Sequence, residues 1–549
     1  MPRLTEVFGY GQGGLVVSVL ALGFILSTFR GALPRPPRWA IAAAAACVVL
    51  PVMAELVLST WYLFSPTYID HIEASVASIT QYFMQGVPVY PDLDSYTFHG
   101  LLYGPLLPEL NSLGYQVAGG VLGSKLVGWV AAWLAVALMA LTTPRTERNW
   151  AWATGLVVAC CVLASFGSKL TADRADSLLL LFATLALWAV VRLRPVPGLL
   201  LAALLAGLAA DLKLHGPAYL LPALGLWVGD HLDDRPRAGV AAALAAAGGV
   251  AVIGVVLPFL PANISVSDYL GYLRLGARHG LSLQLFAWNC AFLLSLWVPV
   301  LLVLRTLRAE RAHAPRSVIV LAAPLLIAEI AVTIVASKPG AGAHHLLPFL
   351  GFHAFLLQKL LVDAGGWTRD VLSWRELPAA RAAVAGLTAA LVGTAWPAAT
   401  GLGGLLIFDR QRPSQQAVLE ELQRFTDLYP HGMMGIGGRE SYPLTIFRPW
   451  ITLTGTLQTD YGAWMDWNLS GLSDAPLAKA LEGCAIPYLF VPTGGRPFTM
   501  DNNYGTGPLF SDSVRDSFAH NYALVHPGQY FDVYGCATVP ERSVRRASP

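Results

Sequence analysis

The chain has 549 residues, 55% of them apolar and only 13% charged, with a net charge of +2. A soluble domain carries about 25% charged residues, so the composition excludes a wholly soluble protein. The near-neutral charge gives no ground for a nucleic-acid partner, and the placement of the charges carries more information than their sum.

Crossing roughly 30 Å of hydrocarbon takes about 20 helical residues. Apolar runs of that kind lie at 13–30, 39–63, 113–142, 150–167, 176–192, 238–260, 286–304, 317–336, 345–361 and 381–408. The first is not followed by a small-residue cleavage site and a soluble domain, so it reads as an extra membrane helix and not a signal peptide. Residues 1–38 are that helix and a cytoplasmic linker, and residues 39–408 are the main transmembrane domain. The run Gly198–Val228 is too long for one ordinary span and is cut by "DLKLHGP". It reads as two short crossings that meet at Lys213–Pro217.

Arginine orients the array. The linkers "RGALPRPPR", "PRTERN", "VRLRP", "DDRPR" and "RTLRAERAHAPR", with Arg369–Arg381, fall on one side if every run crosses once. The opposite side opens with Phe64–Ser112, which has no Lys or Arg. The fold class that follows is a polytopic α-helical membrane protein of about 12 transmembrane helices, with an exterior loop at 64–112 and an exterior carboxy-terminal α+β domain at 409–549.

The exterior charges come next in chain order. In "TYIDHIEASVASITQYF", Asp70 and Glu73 share a helical face with Ala74, Ala77 and Gln81, opposite an apolar stripe of Ile69, Ile72, Val76, Ile79 and Phe83. Such a helix is expected to lie in the membrane interface. The plain alternative is that both acids are solvated or serve the helix's positive end. Further along the loop, Tyr90, His99 and Tyr103 offer a substrate pocket. Asp92 and Asp94 form a D-x-D that is a weak metal candidate and more often a solvated turn.

"SKLTADRADSLLLL" sets Asp173, Arg174 and Asp176 before an apolar run, where Arg174 could meet a phosphate with its planar fork while Asp176 orients it. The segments "DLKLHGPAYLLP" and "SKPGAGAHHLLP" share a lysine, a Gly/Pro turn, a histidine and a Leu-rich helix. Lys213 and Lys338 suit an anionic head group. His215, His344 and His345 either hydrogen-bond phosphate or sugar, or cap the following helix. Arg274 and Arg278 lie in another exterior loop, beside the same candidate pocket. Ionisable groups at the ends of apolar runs mark a functional site by default. Among the cysteines, Cys484 and Cys536 both fall in the exterior domain, where an oxidising compartment favours a disulfide between them. The other four lie in membrane runs as packing residues, and no Cys/His spacing typical of zinc is present.

Taken together, "DHIE", "GVPVYPD", "LLYGPLLP", "RADSLLL", "KLHGPAYLLP" and "KPGAGAHHLLP" resemble the GT-C superfamily of polytopic glycosyltransferases, over roughly residues 39–362. The sequence is similar to bacterial relatives of protein O-mannosyltransferases and aminoarabinose transferases. The resemblance implies transfer of a sugar from a polyprenyl-phosphate carrier to a cell-envelope glycan, lipid or protein on the exterior face of a bacterial inner membrane. It gives Asp70 the catalytic acid's place and Glu73 that of the second acid, although relatives often have adjacent acids where this chain has D-x-x-E. It matches Lys213, Lys338 and Arg174, with His344, to the donor phosphate. No cofactor is required by this chemistry, and a divalent metal is compatible with it. Two other readings stand beside it: a transporter or flippase of a lipid-linked sugar, and a membrane scaffold whose exterior domain binds a glycan. Charges gathered on one face without an inverted repeat favour surface chemistry over transport.

Overall fold

The computed structural model describes residues 53, 56–66, 68, 71–100, 103–143, 159–160, 162–163, 166, 173–232, 236–309, 316–363, 412–438, 461–502 and 507–537. In chain order its helices are α1 His71–Met84, α2 Leu106–Ala118, α3 Gly120–Thr142, α4 Ala175–Arg192, α5 Pro195–Ala210 and α6 Leu221–His231. There follow α7 Arg237–Val256, α8 Val266–Gly276, α9 Leu283–Ala309, α10 Arg316–Val335 and α11 Leu350–Asp363. Near the carboxy terminus come α12 Arg412–Leu428, β1 Met433–Met434, α13 Tyr461–Asn468, α14 Ala475–Glu482, β2 Tyr488–Pro492, α15 Asp512–Asn521, β3 Tyr522–His526 and β4 Phe531–Cys536.

Five helices among the described residues are long and apolar enough to cross a membrane: Gly120–Thr142, Ala175–Arg192, Arg237–Phe259, Leu283–Leu301 and Val318–Val335. The runs expected at 13–30 and 381–408 lie outside the described residues, as do most of the arginine-rich linkers. Two expected spans change: 345–361 opens as a 3₁₀ turn, Ala343–Phe349, before the 14-residue α11, and 113–142 is two helices, because Gly119 and Gly120 both take positive φ, 66° and 49°. Glycine adopts that region readily and other residues do not, so the helix stops there although hydropathy runs straight through. The long run at 198–228 is broken as its composition suggests, into α5 and α6 of 16 and 11 residues joined through a 3₁₀ turn at Gly216–Leu220.

The chain divides into two compact units. The first comprises residues 1–64, 125–258 and 281–407. Here α5 and α7 approach closely through small residues; a Cβ on Gly254 would lie 2.7 Å from the Leu204 carbonyl oxygen. Small-residue contacts of this kind let apolar helices pack where lipid offers no hydrophobic driving force. Leu199, Ala203, Trp227, Val240 and Ala247 form the adjoining core, and the Trp227 indole donates to the Pro195 carbonyl at 2.8 Å.

The second unit comprises residues 65–124, 259–280 and 408–549. The first loop is therefore built together with chain from far downstream. Asn263 donates to the carbonyls of Phe83 and Val87, each at 3.1 Å. Tyr272 donates to Pro91 at 3.1 Å, and Trp467 to Gly100 at 2.6 Å. Phe98, Tyr272, Trp464 and Trp467 are all buried and meet as one aromatic core. Helix α1 is buried along nearly its whole length, which corrects the expectation of an interfacial helix with one open face. It packs on α2, and the Gln81 amide donates to the Tyr115 hydroxyl at 3.4 Å.

In the carboxy-terminal part, four strands order β1-β2-β4-β3, with β1 parallel to β2 and the other pairs antiparallel. Helix α12 lays Val418, Leu422, Phe425 and Tyr429, one helical stripe, on Phe490, Phe531 and Val533. On the same helix Glu421 accepts the backbone N–H groups of Gln529, Tyr530 and Phe531 at 2.7–2.8 Å. Cys484 and Cys536 are joined by a disulfide.

A Cβ on Gly100 would run into the edge of the Tyr272 ring. Gly100→Ala is therefore expected to destabilise the protein by about 1–3 kcal/mol, the usual cost of overpacking, read as a lowered thermal midpoint of the detergent-purified chain.

Candidate functional site

The first unit gathers charged side chains at three breaks in its apolar helices. Asp173 and Arg174 precede α4, with Asp176 in its first turn. Lys213 and His215 lie between α5 and the 3₁₀ turn, and Lys338, His344 and His345 between α10 and α11. Each break has a local cause. Pro217 and Pro222 cannot donate within a continuing helix, and Gly340 takes a φ of 82° in the turn after Lys338.

At the centre, the Lys213 ammonium donates to Asp176 Oδ1 at 2.6 Å, while Arg174 Nε stands 3.6 Å from Asp176 Oδ2. All three residues are buried, Asp176 to 1% exposure and Lys213 to 4%. Arg174 Nη2 reaches His344 Nε2 at 3.4 Å. His215 Nε2 is 3.2 Å from both the Tyr219 hydroxyl and His345 Nδ1. Tyr219 gives its own proton to the His345 carbonyl at 2.8 Å. The Tyr219 oxygen must then accept from a His215 Nε2–H, an assignment that leaves His345 Nδ1 as an acceptor.

Burial, reinforced by the positive charge of Lys213, drives His215 down to about 3 and His345 well below its usual range. The Lys338 charge acts on His215 in the same direction. Burial also lowers Lys213, and the Asp176 carboxylate works against it. The cluster thus presents cations from Arg174 and Lys338 beside two neutral imidazoles, with Lys213 held as the counter-ion of Asp176. Such an arrangement can receive an anion with a tetrahedral set of oxygens, since guanidinium and ammonium supply directed donors while the imidazoles supply N–H without adding charge.

The other candidates lie outside the described residues or belong to the second unit. Asp70 lies outside the described residues. Glu73 is buried in α1, in the second unit. In that unit Tyr90 and Tyr103 line a small apolar cleft together with Val76, Ile79, Leu107 and Pro108. The His99 ring nitrogens reach the Thr97 and Pro88 carbonyls at 2.8 and 3.0 Å, which ties the loop together from inside. Arg274 and Arg278 are exposed at the end of α8. Asp92 accepts the Asp94 N–H at 3.0 Å, an ordinary Asx turn. Among the described residues no three His, Cys, Asp or Glu side chains are grouped to hold a metal.

Two buried groups escape the sequence reading. Tyr219 is four residues after His215, one helical turn away, and that spacing is the signal that finds it. Lys125 is fully buried in α3, where it donates to the Tyr62 carbonyl at 3.1 Å and lies 3.9 Å from the Tyr62 ring centre. An apolar run of this length hides a single lysine from any window average.

Removing one partner of a buried ion pair strands the other. Asp176→Asn is expected to cost about 3–5 kcal/mol of stability, because it strands both Lys213 and Arg174, and Lys213→Met to cost less, because Arg174 still faces Asp176. Unfolding of the purified variants in detergent measures both.

No family model and no curated relative matches the sequence. Solved structures do. ArnT from Cupriavidus metallidurans bound to undecaprenyl phosphate aligns over 90% of this chain and 98% of its own, at 13% identity and a TM-score of 0.54. ArnT from the same organism in the apo state aligns over the same shares, at 12% identity and a TM-score of 0.53. This chain shares the fold of the solved ArnT structures, with five helices among its described residues long and apolar enough to cross a membrane.

Proposed function

We propose that the protein is a membrane glycosyltransferase that moves a sugar from a polyprenyl-phosphate carrier to an acceptor hydroxyl. One observation carries the reading. Arg174, Lys213, Lys338, His344 and Asp176 are drawn from three separate breaks into one ion cluster whose centre, Asp176 with Lys213 and Arg174, is buried, on a fold that in ArnT is solved with undecaprenyl phosphate bound. A polyprenyl phosphate is an anion fixed to a greasy chain. A cationic pocket at the ends of apolar helices suits both parts of it.

In this proposal Arg174, Lys338 and His344 hold the donor phosphate, with Lys213 and Asp176 fixing their arrangement from below. Asp70 takes the proton of the acceptor hydroxyl, the role the GT-C resemblance gives it, and Glu73 is the second acid. The acceptor oxygen bonds to the anomeric carbon as the bond from that carbon to the phosphate oxygen breaks. The polyprenyl phosphate departs with the electron pair, and the cations stabilise its growing charge. A single in-line displacement inverts the anomeric centre. The orientation expected from the arginine-rich linkers supports an exterior site on a bacterial inner membrane, with a cell-envelope glycan, lipid or protein as the proposed acceptor.

Asp70→Asn is expected to lower transfer by about 10²–10⁴-fold, the contribution of a general base, while membrane insertion and undecaprenyl phosphate binding stay as in the wild type. Turnover at the wild-type rate removes Asp70 from the mechanism. Lys338→Ala is expected to raise the KM for the lipid-linked donor by about 10-fold, the loss of one charged contact, with the acceptor KM within about twofold. An equal rise in both would take the phosphate away from Lys338.

A further inference from the structure

A second buried polar group lies in the same unit, within a membrane-length helix. Glu329 is the one acid within the span Val318–Val335 and is 0% exposed. An ionisable side chain at membrane depth is costly and is retained for a purpose. Its two oxygens go to two different helices: Oε1 lies 2.5 Å from His353 Nε2 on α11, and Oε2 accepts the Trp297 indole N–H of α9 at 2.7 Å. The carboxylate thus ties α10 to both of its neighbours.

Those helices share one further property. Helix α10 leads directly into the segment that carries Lys338, His344 and His345, and α11 leads directly out of it. Helix α9 and the residue that precedes it support the start of the segment by two more bonds, from Asn289 Nδ2 to the Ala336 carbonyl at 2.9 Å and from the Ser282 N–H to the Ser337 carbonyl at 2.8 Å. Glu329 and Thr333 on α10, with Ser337 just beyond its end, recur every four residues, as Asn289, Leu293 and Trp297 do on α9, so one seam runs from the carboxylate toward the loop. Both helices also contain a proline, Pro299 and Pro324, that removes a backbone hydrogen bond nearby. Side-chain ties are needed where the backbone is weakest.

We propose that Glu329, His353 and Trp297 are positioning residues, a buried strut that sets the 337–345 segment at the height and angle from which its cations meet the donor phosphate. The inference rests on the proposed function only for the identity of that ligand. The strut itself can be read without it.

The experiment uses the full chain in detergent and compares wild type with Glu329→Gln, Glu329→Leu and the double variant Glu329→Leu/His353→Leu. Thermal midpoint, binding of undecaprenyl phosphate and hydrogen exchange of the 337–345 amides are measured for each. A matched apolar pair commonly replaces a buried ion pair without loss of stability, so the double variant is expected to regain the wild-type midpoint. It is nonetheless expected to bind undecaprenyl phosphate about 10-fold more weakly, the scale of a small misplacement, with 337–345 amides that exchange about 10-fold faster. Gln can accept from Trp297 and donate to His353, so Glu329→Gln is expected to stay within about threefold of the wild type. A double variant with both affinity and protection of the wild type overturns the strut, and so does Glu329→Gln behaving as Glu329→Leu. If the wild type binds no undecaprenyl phosphate, the proposed function fails while amide exchange still decides the strut.

Discussion

A carboxylate withdrawn from water must find cations at contact distance, and Asp176 finds two. Lys213 comes from the break between α5 and α6, Arg174 from the residue before α4, and each lies against a different oxygen, Lys213 at Oδ1 and Arg174 at Oδ2. Pairing lowers the cost of burying each charge far more than it adds net stability. The same geometry decides what remains to meet a ligand. Lys213 is occupied by Asp176, and Arg174 turns its outer nitrogen toward His344. The neutral pair of His215 and His345 then follows from burial beside those charges, because a further cation there would be repelled.

The second unit rests on different physics. Its loop, the segment around α8 and the carboxy-terminal chain share an aromatic core in which Gly100 yields space to the Tyr272 ring and gives its carbonyl to Trp467. Buried aromatic rings contribute large apolar area, and indole and phenol groups still need polar partners. Here those partners are loop carbonyls, so packing and hydrogen bonding order an irregular segment together. The carboxy-terminal residues of this protein are part of what shapes the first loop, including the buried Tyr90 and His99.

Across the first unit, polar groups occur where helices stop or bend. Glu329 and His353 lie between two proline-containing helices and the segment above them, and Asp176 and Lys213 lie at breaks in the apolar runs. Without water in the hydrocarbon region each of these groups must be satisfied internally.

Much of this was legible along the chain. Hydropathy located the apolar helices, the Gly/Pro turns marked the breaks, and rare charges at run ends singled out Arg174, Lys213 and Lys338. Those are one-dimensional properties, set by the cost of burying peptide and charge in hydrocarbon. The end of α2 at Gly119–Gly120, the burial of Lys125 and the commitment of Asp92 to a turn were not legible, because each depends on backbone angle or on a neighbour. The partners were less legible still. Asp176 and Lys213 are 37 residues apart, and Arg174 and His344 are 170 apart. By itself the sequence determined that this is a multi-pass helical chain with charges stationed at its breaks. Only the tertiary structure decided which breaks meet, because helix packing between small residues, and not local pattern, brings distant turns to one place.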